Sequence, residues 1–171
     1  VGEGMDVNWK LKPGMKWSDG QPITCADLEA TWKWNMDPDN TGLAAGVTGW
    51  EDIESVEARS DIDCVVHFKR IYEGYLVLYA PVLPAHYLES VPVVDAVTQL
   101  YPLGDVSKGV YSGPYIPVEV QTDAQITFKA NPNWATIGGH DPYLDEVIFK
   151  YYGDAAAMIA GYRAGELEAR Y

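Results

Sequence analysis

Positive charge is scarce in this sequence: twelve Lys and Arg stand against twenty-five Asp and Glu, giving a net charge of −13 over 171 residues. A chain this acidic is repelled by phosphate backbones and anionic lipid surfaces, and no basic stripe offsets the imbalance, so neither nucleic acid nor a membrane surface is expected as a partner. Long hydrophobic runs are also missing. None approaches the roughly 18 residues that cross a bilayer, and the opening Val1 to Asp6 does not read as a signal peptide, so export is not shown by these residues. Cysteine is nearly absent, with only Cys25 and Cys64. Two are too few for a disulfide scaffold and lack the C-x-x-C spacing of zinc or redox sites. Two readings stay open: they pair, if the protein is extracytoplasmic, or they are small buried apolar side chains.

Histidine is equally sparse. His67, His86 and His140 lie far apart, no two with metal-ligand spacing, and His67 falls in a strand pattern that suits a hydrogen-bonded structural role. No serine sits in a G-x-S-x-G elbow, and neither G-x-G-x-x-G nor a G-x-x-x-x-G-K-[ST] loop occurs, so the elbow hydrolases and the nucleotide cofactors lose their sequence support. Internal repeats and low-complexity tracts are lacking too. No cofactor and no metal is expected.

What is present is an ordinary globular composition, 47% apolar and 22% charged, which excludes a disordered or collagen-like chain. The length suits one domain or two small ones. Six Trp and twelve Tyr against three Phe favour surfaces that are half apolar and half hydrogen-bonding, as binding clefts are.

Val7, Trp9 and Leu11 alternate with Asn8, Lys10 and Lys12, the period of a half-buried strand, and Pro13-Gly14 turns the chain. Met15 to Ser18 reads as the returning strand. Thr24, with Asp27 three residues on, marks a helix start, and Cys25, Leu28 and Trp32 share one face until Asp37-Pro38 ends it. Ile53 to Ala58 and Cys64 to Lys69 read as an antiparallel pair joined through Ser60-Asp61. Three prolines after Tyr79 leave room for one short helix near Ala85 to Leu88. The weakly patterned stretch from Val94 to Gly109 is the candidate domain boundary. Tyr115 to Val120 and Gln125 to Ala130 form a hairpin through Thr122-Asp123, and Glu146 to Tyr151 adds a strand. A last helix, capped by Asp154, carries an Ala155, Met158, Ile159, Tyr162 stripe expected to lie on the sheet, with Gly165 as its left-handed stop. The fold class is α+β, with mixed or antiparallel sheets and flanking helices.

Two acidic strings bear on chemistry. Asp37-Pro38-Asp39-Asn40-Thr41-Gly42 begins like a calcium loop, but its twelfth position is Thr48, which has no bidentate carboxylate to offer, so a helix-ending turn is the better reading. Asp141, Asp145 and Glu146 flank Pro142-Tyr143 in a loop entering a strand, where capping suits them better than acid/base work.

Four strings taken together carry more than any single motif. WKLKPGMKWSDGQPITCADLEATWKW (Trp9 to Trp34), SGPYIPVEV (Ser112 to Val120), FKANPNW (Phe128 to Trp134) and GGHDPYLDEVIFKYYGDAAAMIAGYRAGELEA (Gly138 to Ala169) resemble, in order and spacing, the bacterial extracellular solute-binding proteins of family 5, the peptide and nickel receptors of ABC importers. Ala130 stands where the family usually has Arg, Cys25 where it usually has Ala, and Ala169 where a polar residue is common.

The resemblance implies a fragment of a two-lobed, type II-like periplasmic binding protein. Residues 1–105 correspond to an additional small α+β domain of the first lobe and 106–171 to a partial core of that lobe, with the second lobe absent. It further implies a monomer without catalytic activity, periplasmic or extracytoplasmic and open to lipid anchoring when full length. Such a receptor captures a small solute, most often peptide, and hands it to an ABC permease. A nickel chelate, an oligosaccharide, or a purely structural role for this piece are the alternatives. Trp50, Tyr75 and Tyr79 fall where the additional domain faces the cleft in similar proteins, with packing of the domain's own core as the competing role. Tyr111 and Ser112 precede the Gly113-Pro114 turn, toward the hinge side. Trp9, Trp17, Trp32 and Trp34 lie on patterned faces that suit the core.

Overall fold

The computed structural model describes residues 4–40, 47–91 and 105–168. Two three-stranded antiparallel sheets organise them. The first has the order β1-β3-β2, formed by β1 (Met5–Lys10), β2 (Ile53–Ser60) and β3 (Asp63–Phe68). β1 half-buries alternate residues and exposes the others, as a strand covered on one face should. β3 lies between the other two, and Cys64, Val65, Val66 and Phe68 are all buried. On the outer face His67 of β3 sits between its register partner Asp6 and Glu57 of β2, at 2.7 Å and 3.3 Å. Both carboxylates raise the imidazole pKa, the hydrogen bond to Asp6 most.

Helix α1 (Cys25–Met36) covers the inner face. Its capping box is complete, with the Thr24 N–H donating to Asp27 Oδ2 at 2.7 Å. A disulfide joins Cys25 in its first turn to Cys64 on the central strand, with Cα atoms 5.6 Å apart. The first of the two cysteine readings therefore holds: they pair, and both are buried as well. Trp50, Ile53, Phe68, Leu78 and Tyr79 complete this core, with Trp9 and Trp32 packed partly buried against it. Trp34, on another face of α1, meets Leu83 and Val91 in a second cluster.

The second sheet, β4-β5-β6, comprises β4 (Tyr115–Gln121), β5 (Gln125–Ala130) and β6 (Glu146–Lys150). Asp123 takes the left-handed conformation that the tight hairpin needs, at φ 59°. Four short or terminal features depart from the sequence expectations. Met15 to Ser18 forms no strand: a single bridge joins Lys16 to Pro22, because Trp17 and Gly20 close a tight turn while the Ser18 N–H is drawn away to the Tyr111 carbonyl at 2.8 Å. Between Tyr72 and Tyr79 there is a further short helix, α2 (Tyr75–Leu78), which begins beyond Gly74 and turns Leu78 and Tyr79 inward. The expected α3 (Ala85–Leu88) follows it. Another short helix, α4 (Ala135–Gly138), ends at Gly139 with φ 79°. The last helix, α5 (Ala155–Arg163), is capped by the Asp154 carboxylate on the Ala157 N–H, and Gly165 has φ 78°. Its stripe is less buried than its period suggests: Met158 and Ile159 are half-buried, but Ala155 and Tyr162 are exposed. The strand beside it, β6, presents exposed Ile148 and Phe149, so this part of the sheet covers little apolar surface.

Residues 94–104 of the candidate boundary lie outside the described residues, as do Thr41 and Gly42 of the calcium-like string. The rest of that string, Asp37 to Asn40, is a turn in which the Asp37 carboxylate accepts from the Asp39 N–H at 2.9 Å. His140 Nδ1 lies 2.8 Å from the Asp141 carbonyl, and Asp141, Asp145 and Glu146 are all exposed. Among the described residues no cluster of His, Cys, Asp and Glu is arranged to hold a metal ion.

Candidate functional site

The two sheets are joined by a polar seam made from sequence blocks more than 90 residues apart. The backbone N–H of Ser18 donates to the Tyr111 carbonyl, and the Tyr111 N–H returns a bond to Ser18 Oγ at 2.9 Å. Asn133 Nδ2 donates to the Trp17 carbonyl at 2.8 Å and to that of Ser18 at 3.3 Å. The fully buried Asn131 side chain donates from Nδ2 to the Gly113 carbonyl at 2.8 Å, and its Oδ1 accepts from the Asn133 N–H at 2.9 Å. The Asn131 amide is thus held from both ends, and the Asn133 backbone that anchors it carries the side chain that bonds the 17–18 turn. Lys16 and Lys12 extend the seam to Thr136 Oγ1 and the Ile137 carbonyl, both at 3.0 Å.

Beside this seam lies an apolar cavity of about 370 Å³. Trp17 and Val106 form part of its lining, Pro81 to Pro84 supply one wall, Val110 to Gly113 another, and Tyr115, Pro117 and Phe128 of the second sheet a third. Tyr111 and Ser112, two of the five residues singled out in the sequence, therefore line it. The Tyr111 hydroxyl is turned to the Val106 carbonyl at 3.0 Å, which fixes the ring. A predominantly hydrocarbon and aromatic lining with few polar groups suits the apolar part of an organic solute.

The remaining three residues lie elsewhere. Tyr75 is half-buried and lines a separate groove with Met5 to Trp9 and Leu76. Trp50 and Tyr79 are buried in the first core, edge to face with their ring centroids 5.2 Å apart, and Tyr79 also meets Trp9 at 5.8 Å. Burial pushes the Tyr79 hydroxyl pKa well up, and that hydroxyl has no hydrogen-bond partner. These two rings buttress the sheet from within, and neither reaches the cavity.

The cavity wall from Pro81 to Pro84 is tied to α1 by two buried side chains. Asp27 Oδ1 accepts from the Ala85 N–H at 2.8 Å while its other oxygen serves the cap at Thr24. Thr31 Oγ1 accepts from the Leu83 N–H at 2.8 Å and donates to the Asp27 carbonyl at 2.6 Å. Desolvation raises the Asp27 pKa, and the two backbone N–H groups only partly offset it. The Trp17 indole N–H faces the same carboxylate but falls outside hydrogen-bond geometry. The capping role of Asp27 was readable from Thr24 and the spacing, whereas its bond to Ala85, 58 residues on, left no signal in the local pattern.

A family model described as bacterial extracellular solute-binding proteins, family 5 Middle, matches residues 3–170. Over 168 residues the chain is 30% identical to the oligopeptide-binding protein AppA of Bacillus subtilis, covering 96% of this chain and 29% of the relative. The solved structure of that protein in complex with a nonapeptide superposes with a TM-score of 0.79 at 28% identity, over 95% of this chain and 31% of the other. The fold also matches the mannohexaose-bound periplasmic oligopeptide-binding protein of Thermotoga maritima, with a TM-score of 0.78 at 22% identity over 96% and 31% of the two chains. NikZ of Campylobacter jejuni in complex with Ni(L-His) matches equally, with a TM-score of 0.78 at 21% identity over 95% and 31%. The chain thus spans about 30% of the length of these proteins.

Proposed function

This chain belongs to the bacterial extracellular solute-binding proteins, family 5, and from that premise we propose that the protein carrying it captures peptides in a cleft and delivers them to the permease of an ABC importer. The observation that carries the reading is the match over nearly the whole chain to an oligopeptide-binding relative at 30% identity. The family is one of extracellular binding proteins, and the α+β architecture is its fold. Residues 1–105 serve as a small additional domain and 106–171 as part of a ligand-binding lobe, with the asparagine seam as their joint. The receptor acts as a monomer outside the cytoplasmic membrane, held there by a lipid anchor.

In this reading the chain supplies one wall of the solute site. Tyr111 and Ser112 meet solute at the apolar cavity and Tyr75 at the second groove, while Trp50 and Tyr79 act through the core they pack. Capture proceeds by closure, so the closed form owes its population to contacts made on both sides of the solute. The bound chelate of NikZ and the bound mannohexaose of the Thermotoga protein make a nickel chelate or an oligosaccharide the second reading. Native purification of the protein carrying this chain, followed by mass spectrometry of what it releases, tests the choice. Released peptides of several residues are expected; a released chelate or oligosaccharide, or turnover of any substrate, would overturn it.

A further inference from the structure

We propose that Asp27 and Thr31 are positioning residues for the solute site, holding the Leu83–Ala85 backbone against α1 so that Pro81 to Pro84 form a fixed wall of the apolar cavity. The proposal rests on the reading of that cavity as part of the solute site. Both residues are almost fully buried, at 3% and 1% exposure, although helix interiors seldom spend buried carboxylates and hydroxyls without a reason. Each has a local duty and a distant one. Asp27 divides its two oxygens between the Thr24 cap and the Ala85 N–H, and Thr31 divides its hydroxyl between the Asp27 carbonyl and the Leu83 N–H.

The Leu83 and Ala85 amides flank Pro84, which has no N–H to donate. Three successive residues are thus seated by two side chains one helical turn apart. The wall's apolar side chains add packing, with Leu83 meeting Trp34 and Val91, but the two polar bonds set where the backbone lies. The ionisable groups around the carboxylate are His86 on α3 and, through it, Asp19, whose carboxylate lies 2.7 Å from His86 Nε2. Burial gives the seated carboxyl a higher proton affinity than a hydrated one, so falling pH favours the seated state.

The test is hydrogen–deuterium exchange, read by mass spectrometry on the complete protein without added solute, for Thr31→Val, Thr31→Ser and Asp27→Asn. Thr31→Val keeps the shape and removes the acceptor, and should speed exchange in the 81–88 segment tenfold or more while β3 stays protected; Thr31→Ser should restore it. After correction for intrinsic chemistry, wild-type exchange in the segment should slow as pH falls toward the ordinary aspartate range, and Asp27→Asn should lose that slope. Unchanged exchange in Thr31→Val, loss of protection spread evenly into β3, or the same pH profile in Asp27→Asn and wild type would each overturn the proposal. A second arm titrates the peptides released from the native protein: Thr31→Val should weaken affinity at least tenfold and Thr31→Ser should not, and unchanged affinity beside faster exchange would also overturn it. Failure of wild type to bind any peptide falls instead on the receptor reading, because the exchange arm contains no solute.

Discussion

Replacing both cysteines by alanine removes the covalent tie between α1 and the central strand, and its cost follows from the length of the loop it closes. Cys25 and Cys64 are 39 residues apart in sequence. In the chain-entropy treatment a loop of that length loses about 13 cal/mol/K, or about 4 kcal/mol at 25 °C. Alanine is the best helix former, so Cys25→Ala at the start of α1 should add little strain of its own, and the small void left at Cys64 acts in the same direction as the lost tie. The assay is hydrogen exchange of the Val65 and Val66 amides, whose side chains are fully buried and whose strand opens only when the first sheet does. Since each 1.4 kcal/mol is a factor of ten, their exchange in Cys25→Ala/Cys64→Ala should quicken roughly a thousandfold, while β5 in the second sheet changes much less. An acceleration under about fivefold would show instead that the disulfide ties together parts already held in the unfolded chain.

Asn133→Ala should loosen the seam, since it removes the side-chain amide shared by the Trp17 and Ser18 carbonyls and leaves Trp17 only its turn bond from the Gly20 N–H; the loss of about 1 to 3 kcal/mol is read as faster proteolytic cleavage at the 12–20 loop. Tyr79→Phe removes a buried hydroxyl that has no partner, so the first sheet should be unchanged or up to about 1 kcal/mol more stable by the same exchange of β3. His67 contributes in the sense set by its raised pKa: its stabilisation is fully present below the ordinary histidine value of about 6.5 and is lost as pH rises through the raised one. His67→Gln should flatten that slope in thermal melts, and because Asp6 and Glu57 are exposed added salt should shrink the effect in wild type.

Most of the regular structure was legible because its signals are local. The capping box at Thr24 and Asp27 and the alternation from Val7 to Leu11 need only neighbouring residues to be read, and so does the hairpin at Thr122-Asp123. The four family strings were legible as a pattern, yet their physical purpose was not. Asn133 gains meaning only once the 17–18 turn folds against it, more than 110 residues away, and Asn131 only through its bonds to Gly113 and Asn133. Met15 to Ser18 failed as a strand for the same reason: its backbone is bound to Tyr111 and Asn133, outside any local period. The cavity was half legible. Tyr111 and Ser112 lie on it, but the Pro81 to Pro84 wall reads in sequence only as a run of helix breakers. Trp50 and Tyr79 show the limit of composition, since the aromatic excess that suits a cleft also suits a core, and burial alone separates the two.

In the proposed receptor this chain is one side of a two-sided peptide site. Isothermal titration of the natively released peptides into the complete protein and into the isolated chain tests it most directly. Tight binding is expected for the complete protein and none at micromolar concentration for the isolated chain; binding by the isolated chain at micromolar affinity or better would show that one side suffices.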